Sequence, residues 1–244
     1  MATLADILND PPAPHVNAQG ENFLMGLTES ALRFLNETVD QSSVTLETGS
    51  GISTIVFALA GAQHTCITPA AYEFDNIKSY CSARGIPTAQ VNFVAGGSEF
   101  VLPTLDLPPL DLVLIDGRHG FPAPYIDWFY TATKLKVGGH MIVDDTWVWT
   151  CQILSDFLVE QPQWELVAEF DERTAVFRKV GAGSETVEWT EQPKVALGGR
   201  MQWYDGRTHY QGPSRLQRVL TDVRHGDLSA LRRKVGRRLK RTEK

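Results

Sequence analysis

The sequence predicts an α/β fold: a doubly wound sheet of seven strands, mostly parallel, with an antiparallel last strand and helices on both faces. Three observations predict it. Residues 44–180 alternate short β-branched runs with longer stretches of helical periodicity, the pattern of βαβ units. Gly85, Gly138 and Gly139 stand where intervening helices should stop. Only Asp171, Glu172 and Arg173 separate the last two strand-like runs, a spacer that fits a hairpin and no crossover.

The elements follow in order. Pro11-Pro12-Ala13-Pro14 reads as a surface turn, and 27–39 as an amphipathic helix with Leu27, Ala31, Leu32, Leu35 and Val39 on its apolar face. Strands are predicted at 44–47, 64–68, 91–94, 111–115, 140–143, 164–170 and 174–180. Helices are predicted at 52–61, 71–84, 123–136 and 147–160. Residues 181–213 hold Trp189, Trp203, Tyr204 and Tyr210 without a period and receive no assignment.

Composition bounds the rest. With 43% hydrophobic and 21% charged residues in 244, the chain is an ordinary globular protein and not a disordered one. No uncharged apolar run approaches the ~20 residues a membrane span needs. Asp6 and Asp10 stand where a signal peptide would carry basic residues, so a cytoplasmic location is expected. Cys66, Cys81 and Cys151 lack metal or disulfide spacing and read as buried thiols.

The net charge of −6 is unevenly spread. Residues 214–244 carry 11 Lys/Arg against 3 Asp/Glu, net +8, which leaves net −14 on residues 1–213. Within the tail, Leu216, Val219, Leu220 and Val223 form one helical stripe and Leu228, Leu231, Val235 and Leu239 another. A basic helix with an apolar seam can rest on an anionic membrane, or bridge to the acidic body of a second copy as a homodimer arm. A solvated tail is the plain alternative.

Between the first strand and its helix lies Glu47-Thr48-Gly49-Ser50-Gly51. Gly49 permits a sharp turn, and Gly51 lets a ligand approach NH groups at a helix N-terminus. Thr54 stands where a dinucleotide fingerprint needs its third glycine, and Glu47 opens the turn with an acid. This arrangement resembles motif I of the class I S-adenosylmethionine (SAM) methyltransferases, over roughly residues 25–180. The resemblance implies a Rossmann-like catalytic domain at 41–180, a packing segment at 1–40 and an extension at 181–244. It also implies SAM contacts from Glu47, Gly49, Ser50, Gly51, Thr68, Ser98 and Asp116. Thr68 stands where that family usually ends its second strand with a ribose-binding acid, a role Glu73 can take from the next helix.

Asp116 ends one strand, while Asp144 and Asp145 end the strand predicted to lie beside it. Converging carboxylates repel, and a hard divalent cation is the usual remedy. Leu114-Ile115-Asp116-Gly117-Arg118-His119, then Gly138-Gly139 and Asp144-Asp145, is similar to the metal-dependent O-methyltransferases, closest to the sugar-modifying group. By that resemblance Asp116, Asp144 and Asp145 are ligands of Mg²⁺ or another divalent cation, and the substrate is a hydroxyl of a small molecule or sugar. His119 stands where catechol-type relatives carry a general base, and its alternative is a polar loop residue. Phe121, Trp147 and Trp149 are either rim aromatics for the acceptor or core residues. Nucleic acid is not expected as a partner of so acidic a body. The competing function is a binding or scaffold protein on this fold with weak or lost SAM affinity, motivated by Thr68.

Overall fold

A computed structural model describes residues 2–183, 185–188, 192, 201–204 and 207–210. The elements, in order, are α1 (Leu4–Asn9), β1 (His15–Val16), β2 (Asn22–Phe23), α2 (Glu29–Thr38), β3 (Val44–Thr48), α3 (Ile52–Ala60), β4 (Gln63–Thr68), α4 (Tyr72–Ala83), β5 (Val91–Ala95) and α5 (Ser98–Val101). They continue with β6 (Leu110–Ile115), α6 (Ala123–Ala132), β7 (Leu135–Val143), α7 (Trp149–Glu160), β8 (Trp164–Phe170) and β9 (Thr174–Lys179), then β10 (Met201–Tyr204) and β11 (Arg207–Tyr210). Compact units span Met1–Val187 and Glu188–Lys244, and in the second β10 and β11 pair antiparallel. The basic tail lies outside the described residues.

Seven strands form the central sheet in the order β5-β4-β3-β6-β7-β9-β8. The pairs from β5 to β7 are parallel, and β9 runs antiparallel to both neighbours. The hairpin therefore places its second strand inside the sheet and leaves β8 at the edge.

Strand alternation divides the core between two faces. On one, Leu112, Leu114 and Ile142 pack with Ile7, Leu32, Leu35, Ile55, Phe57 and Ile77 from α1 to α4. On the other, Val113, Ile115, Met141 and Val143 pack with Trp128, Cys151, Leu154 and Leu158 from α6 and α7. All three cysteines are free and buried. No described helix is long and apolar enough to cross a membrane.

Several details depart from the sequence expectation. Helix α2 starts at Glu29, not at 27, because the Thr28 hydroxyl accepts from the Ala31 amide as its cap. Pro12 and Pro14 are buried beside β1, so the proline run is not a surface turn. Residues 136–139 are a bulge within β7 and not a turn before it: Leu110 pairs with Leu135, and Leu112 next with His140. Gly138, at φ +93°, permits the bulge, and a Cβ on Gly139 would lie 2.8 Å from the Asp111 carbonyl oxygen.

Helix α6 consequently ends at Ala132, where Lys179 closes it. This buried ammonium donates to the carbonyl oxygens of Ala132 and Leu135 at 2.5 and 3.1 Å. Burial pulls its pKa below the ordinary value. Lys179→Met removes both donors and strands two buried carbonyls, so we predict a loss of about 1–3 kcal/mol in urea denaturation. An unchanged midpoint would show that these bonds contribute nothing net.

Candidate active site

The carboxyl ends of β3 and β6 meet at two glycines. Gly49 has φ +100°, and a Cβ there would fall on the Asp116 carbonyl oxygen. A Cβ on Gly117 would lie 3.2 Å from Thr48. Backbone contact between strand ends, and not a ligand, demands these glycines. A Cβ on Gly51 would lie 3.4 Å from His15 Nε2 and 3.6 Å from the Met25 carbonyl oxygen. Glu47 is buried beneath the turn, accepting from Ser53 Oγ at 2.6 Å and from Thr54 Oγ1, with His64 Nε2 at 3.2 Å. Its carboxylate binds strand to helix and does not line the cleft.

Beside the turn opens a cleft of about 550 Å³, lined among others by Ser50, Thr68, Glu73, Ser98, Phe100 and Asp116. Thr68 Oγ1 donates to Glu73 Oε2 at 3.2 Å, and Ser50 Oγ donates to the same oxygen. His15 Nδ1 lies 3.0 Å from Glu73 Oε1, and its Nε2 lies 3.0 Å from the Met25 carbonyl oxygen. Burial disfavours an ionised Glu73, yet the bonds from His15 and Ser50 outweigh it and hold its pKa below the ordinary range. Burial likewise opposes charge on His15, but Glu73 prevails and raises its pKa. The strand-end acid that Thr68 lacks is thus present as a buried carboxylate from α4. Its partner His15 comes from a two-residue strand with no motif around it, and sequence reading assigned it nothing.

On the other side of Asp116 lies an acidic edge. Asp144 is fully buried and accepts from Arg173 Nη2 at 3.0 Å and from the Thr174 hydroxyl. Asp145 Oδ1 lies 2.8 Å from Arg173 Nε and accepts from Trp147 Nε1 at 2.8 Å. Its Oδ2 lies 3.3 Å from His119 Nδ1, while His119 Nε2 is 3.8 Å from Asp116 Oδ1. Ligand atoms of Asp116, His119 and Asp145 all lie within 4.8 Å of one another. Burial pushes the Asp116 carboxyl up to about 7, against the lowering effect of His119. Contact with Asp116 and Asp145 raises the His119 pKa in spite of burial. Of the expected metal ligands, the structure brings Asp116 and Asp145 together and gives Asp144 to Arg173. Arg173 went unnoticed as a site residue because the sequence presents it only as the last residue of a hairpin spacer. Phe121, Trp147 and Trp149 stand exposed at the rim.

Residues 46–146 match the methyltransferase domain family. No curated protein matches the chain. Among solved structures, a cofactor-bound protein from MTB is similar at TM-score 0.58 and 18% identity, over 73% of this chain and 90% of that one. An O-methyltransferase of tomaymycin synthesis from Streptomyces achromogenes, in complex with SAM, gives 0.54 and 17% over 64% and 82%. A SAH-bound methyltransferase from Podospora anserina gives 0.52 and 15% over 63% and 80%. At these identities the likeness is one of fold.

Under the cleft floor sits one more acid. Asp127 on α6 is fully buried, and neither carboxylate oxygen makes a hydrogen bond of ordinary geometry. Burial raises its pKa to about 6, partly offset by the Ser98 and Thr48 hydroxyls. A carboxyl whose folded pKa lies above its unfolded 3.8 costs stability as pH climbs through that interval. Asp127→Asn should therefore gain on the wild type by on the order of 1–3 kcal/mol between pH 4 and pH 7.5 in urea titrations. An equal difference at both pH values would contradict the assignment.

Proposed function

We propose that the chain is a class I methyltransferase that transfers the methyl group of SAM to a hydroxyl of a small molecule or sugar, using a divalent cation at the acidic edge. One observation carries the reading: Asp116 belongs both to the cleft wall and to the acidic cluster, so a donor in the cleft and an acceptor at the edge would meet there.

Bound SAM supplies an electrophilic methyl group; the chain's own residues hold and orient. Glu73, kept ionised by His15 and Ser50, suits the paired hydroxyls of a ribose. Ser98 and Phe100 offer a hydroxyl and an aromatic face to a base. A cation fits the opposite edge because His119 Nε2 is a buried polar atom without a partner beside two carboxylates. Asp116 and Asp145 would hold it, and its Lewis acidity would weaken the acceptor O–H. Phe121, Trp147 and Trp149 give the rim flat apolar faces, which suit a ring-bearing acceptor. The acidic body fits a small acceptor in the cytoplasm better than a nucleic acid.

Calorimetric titration with SAM tests the reading. One SAM should bind per chain, and Glu73→Gln should weaken binding about tenfold, as expected when charge-assisted bonds are lost, with an unchanged circular dichroism spectrum. Absence of binding to the wild-type protein would favour a scaffold that has lost the cofactor.

A further inference from the structure

One face of α4 is occupied by the segment that joins α1 to β1. Glu73, Asn76, Tyr80 and Arg84 follow one another at intervals of three or four residues, so they form a single stripe along the helix and its end. Asn76 Nδ2 donates to the Pro14 carbonyl oxygen at 2.9 Å, and the Tyr80 hydroxyl donates to that of Asp10 at 2.6 Å. Arg84 pairs with the Asp10 carboxylate and lies over the Tyr80 ring. The last contact of the stripe is His15 with Glu73, and it reaches the cleft.

His15 is buried between two acceptors. Its Nδ1 lies 3.0 Å from Glu73 Oε1 and its Nε2 lies 3.0 Å from the Met25 carbonyl oxygen. A carbonyl has no proton to give, and Glu73 already accepts at Oε2 from the Ser50 and Thr68 hydroxyls. A neutral imidazole carries one N–H and can satisfy only one of its two neighbours, so both bonds exist together only in the imidazolium. Without the second proton, a ring lone pair would face an oxygen lone pair inside a buried site. His15, Met25 and Glu73 all line the cleft, so that conflict falls on its wall.

We propose that His15 is a positioning residue for the methyl donor: its imidazolium fastens the N-terminal segment to α4, sets Glu73 for the ribose and holds Met25 in the cleft wall, so donor affinity falls when the ring loses its proton. The inference rests on the proposed binding of SAM in this cleft and adds a residue and a pH dependence. The titratable groups facing His15 are few. Glu73 comes from α4, with the Tyr72 hydroxyl 3.5 Å from its Oε1, and Asp116 at the end of β6 also favours the cation. From β2 it meets the Phe23 ring at 5.6 Å, and before α3 it meets Gly51, neither of which titrates. Burial opposes the charge but Glu73 outweighs it, which puts the His15 pKa above its ordinary value. A group charged in the binding-competent state and raised in pKa supports binding at low pH, and that support is lost as pH climbs through the raised pKa.

The test titrates the full-length protein calorimetrically with S-adenosylhomocysteine (SAH) at pH 6 and pH 9, beside His15→Gln, whose amide does not titrate. At pH 6 the wild type should bind about fivefold more tightly than His15→Gln, and at pH 9 the two should be nearly equal. Asp116 and the SAH amino group are common to both proteins, so their own titration cancels in the ratio. A residue that merely supported the fold would give one ratio at both pH values. If thermal melts show that His15→Gln does not fold, Asn76→Ala decides: it releases the Pro14 carbonyl outside the cleft lining, and the fall in SAH affinity should then begin at lower pH than in the wild type. A pH-independent ratio, full affinity in His15→Gln, or an unmoved pH profile in Asn76→Ala would overturn the proposal. SAH bound in any of these cases removes only the role of His15, whereas no SAH binding by the wild type at either pH removes the methyl-transfer reading with it.

Discussion

The approach of two strand ends, closer than any side chain allows, organises the site. Where β3 and β6 finish, Gly49 lies against the Asp116 carbonyl and Gly117 against Thr48, with no room for a Cβ at Gly49. That contact sets the glycine turn beside the first of the site's acids. One side of Asp116 becomes the wall of a cleft, and the other becomes the edge where Asp145 and His119 gather. A parallel sheet reverses its winding between these two strands, and a crevice at the carboxyl edge follows from that topology.

Burying so many acids in one place demands nearby cations, and the fold delivers them from outside the central βαβ units. His15 reaches Glu73 from the N-terminal hairpin, and Arg173 reaches Asp144 and Asp145 from the turn between β8 and β9. His119 stands between Asp116 and Asp145. Both oxygens of Asp144 are taken by Arg173 and Thr174 in a side chain with no exposed surface, whereas Glu73 and Asp116 line the cleft.

Much of the scaffold was legible because its signals are local. Alternating apolar residues marked the strands, and the spacer of Asp171, Glu172 and Arg173 marked the reversal that puts β9 antiparallel. The glycine turn and Asp116 were legible for the same reason, since a strand end followed by a turn is written in consecutive residues. What stayed hidden depends on distance along the chain. His15 and Glu73 are 58 residues apart, and Asp144 and Arg173 are 29 apart, so no window of sequence contains either pair. The bulge of β7 misled for another reason: a Gly-Gly pair signals a turn and a bulge alike, and only pairing with β6 decides. Glu47 illustrates a third limit, because an acid at a strand end can bind its own helix as readily as a cofactor.

The proposed methyl transfer depends on where the donor sits, and a crystal structure of the protein with S-adenosylhomocysteine observes this directly. Ribose density is expected within hydrogen-bonding distance of Glu73, the base beside Ser98 and Phe100, and the sulfur end toward Asp116. Density lying elsewhere, or a ribose with no contact to Glu73, would contradict it.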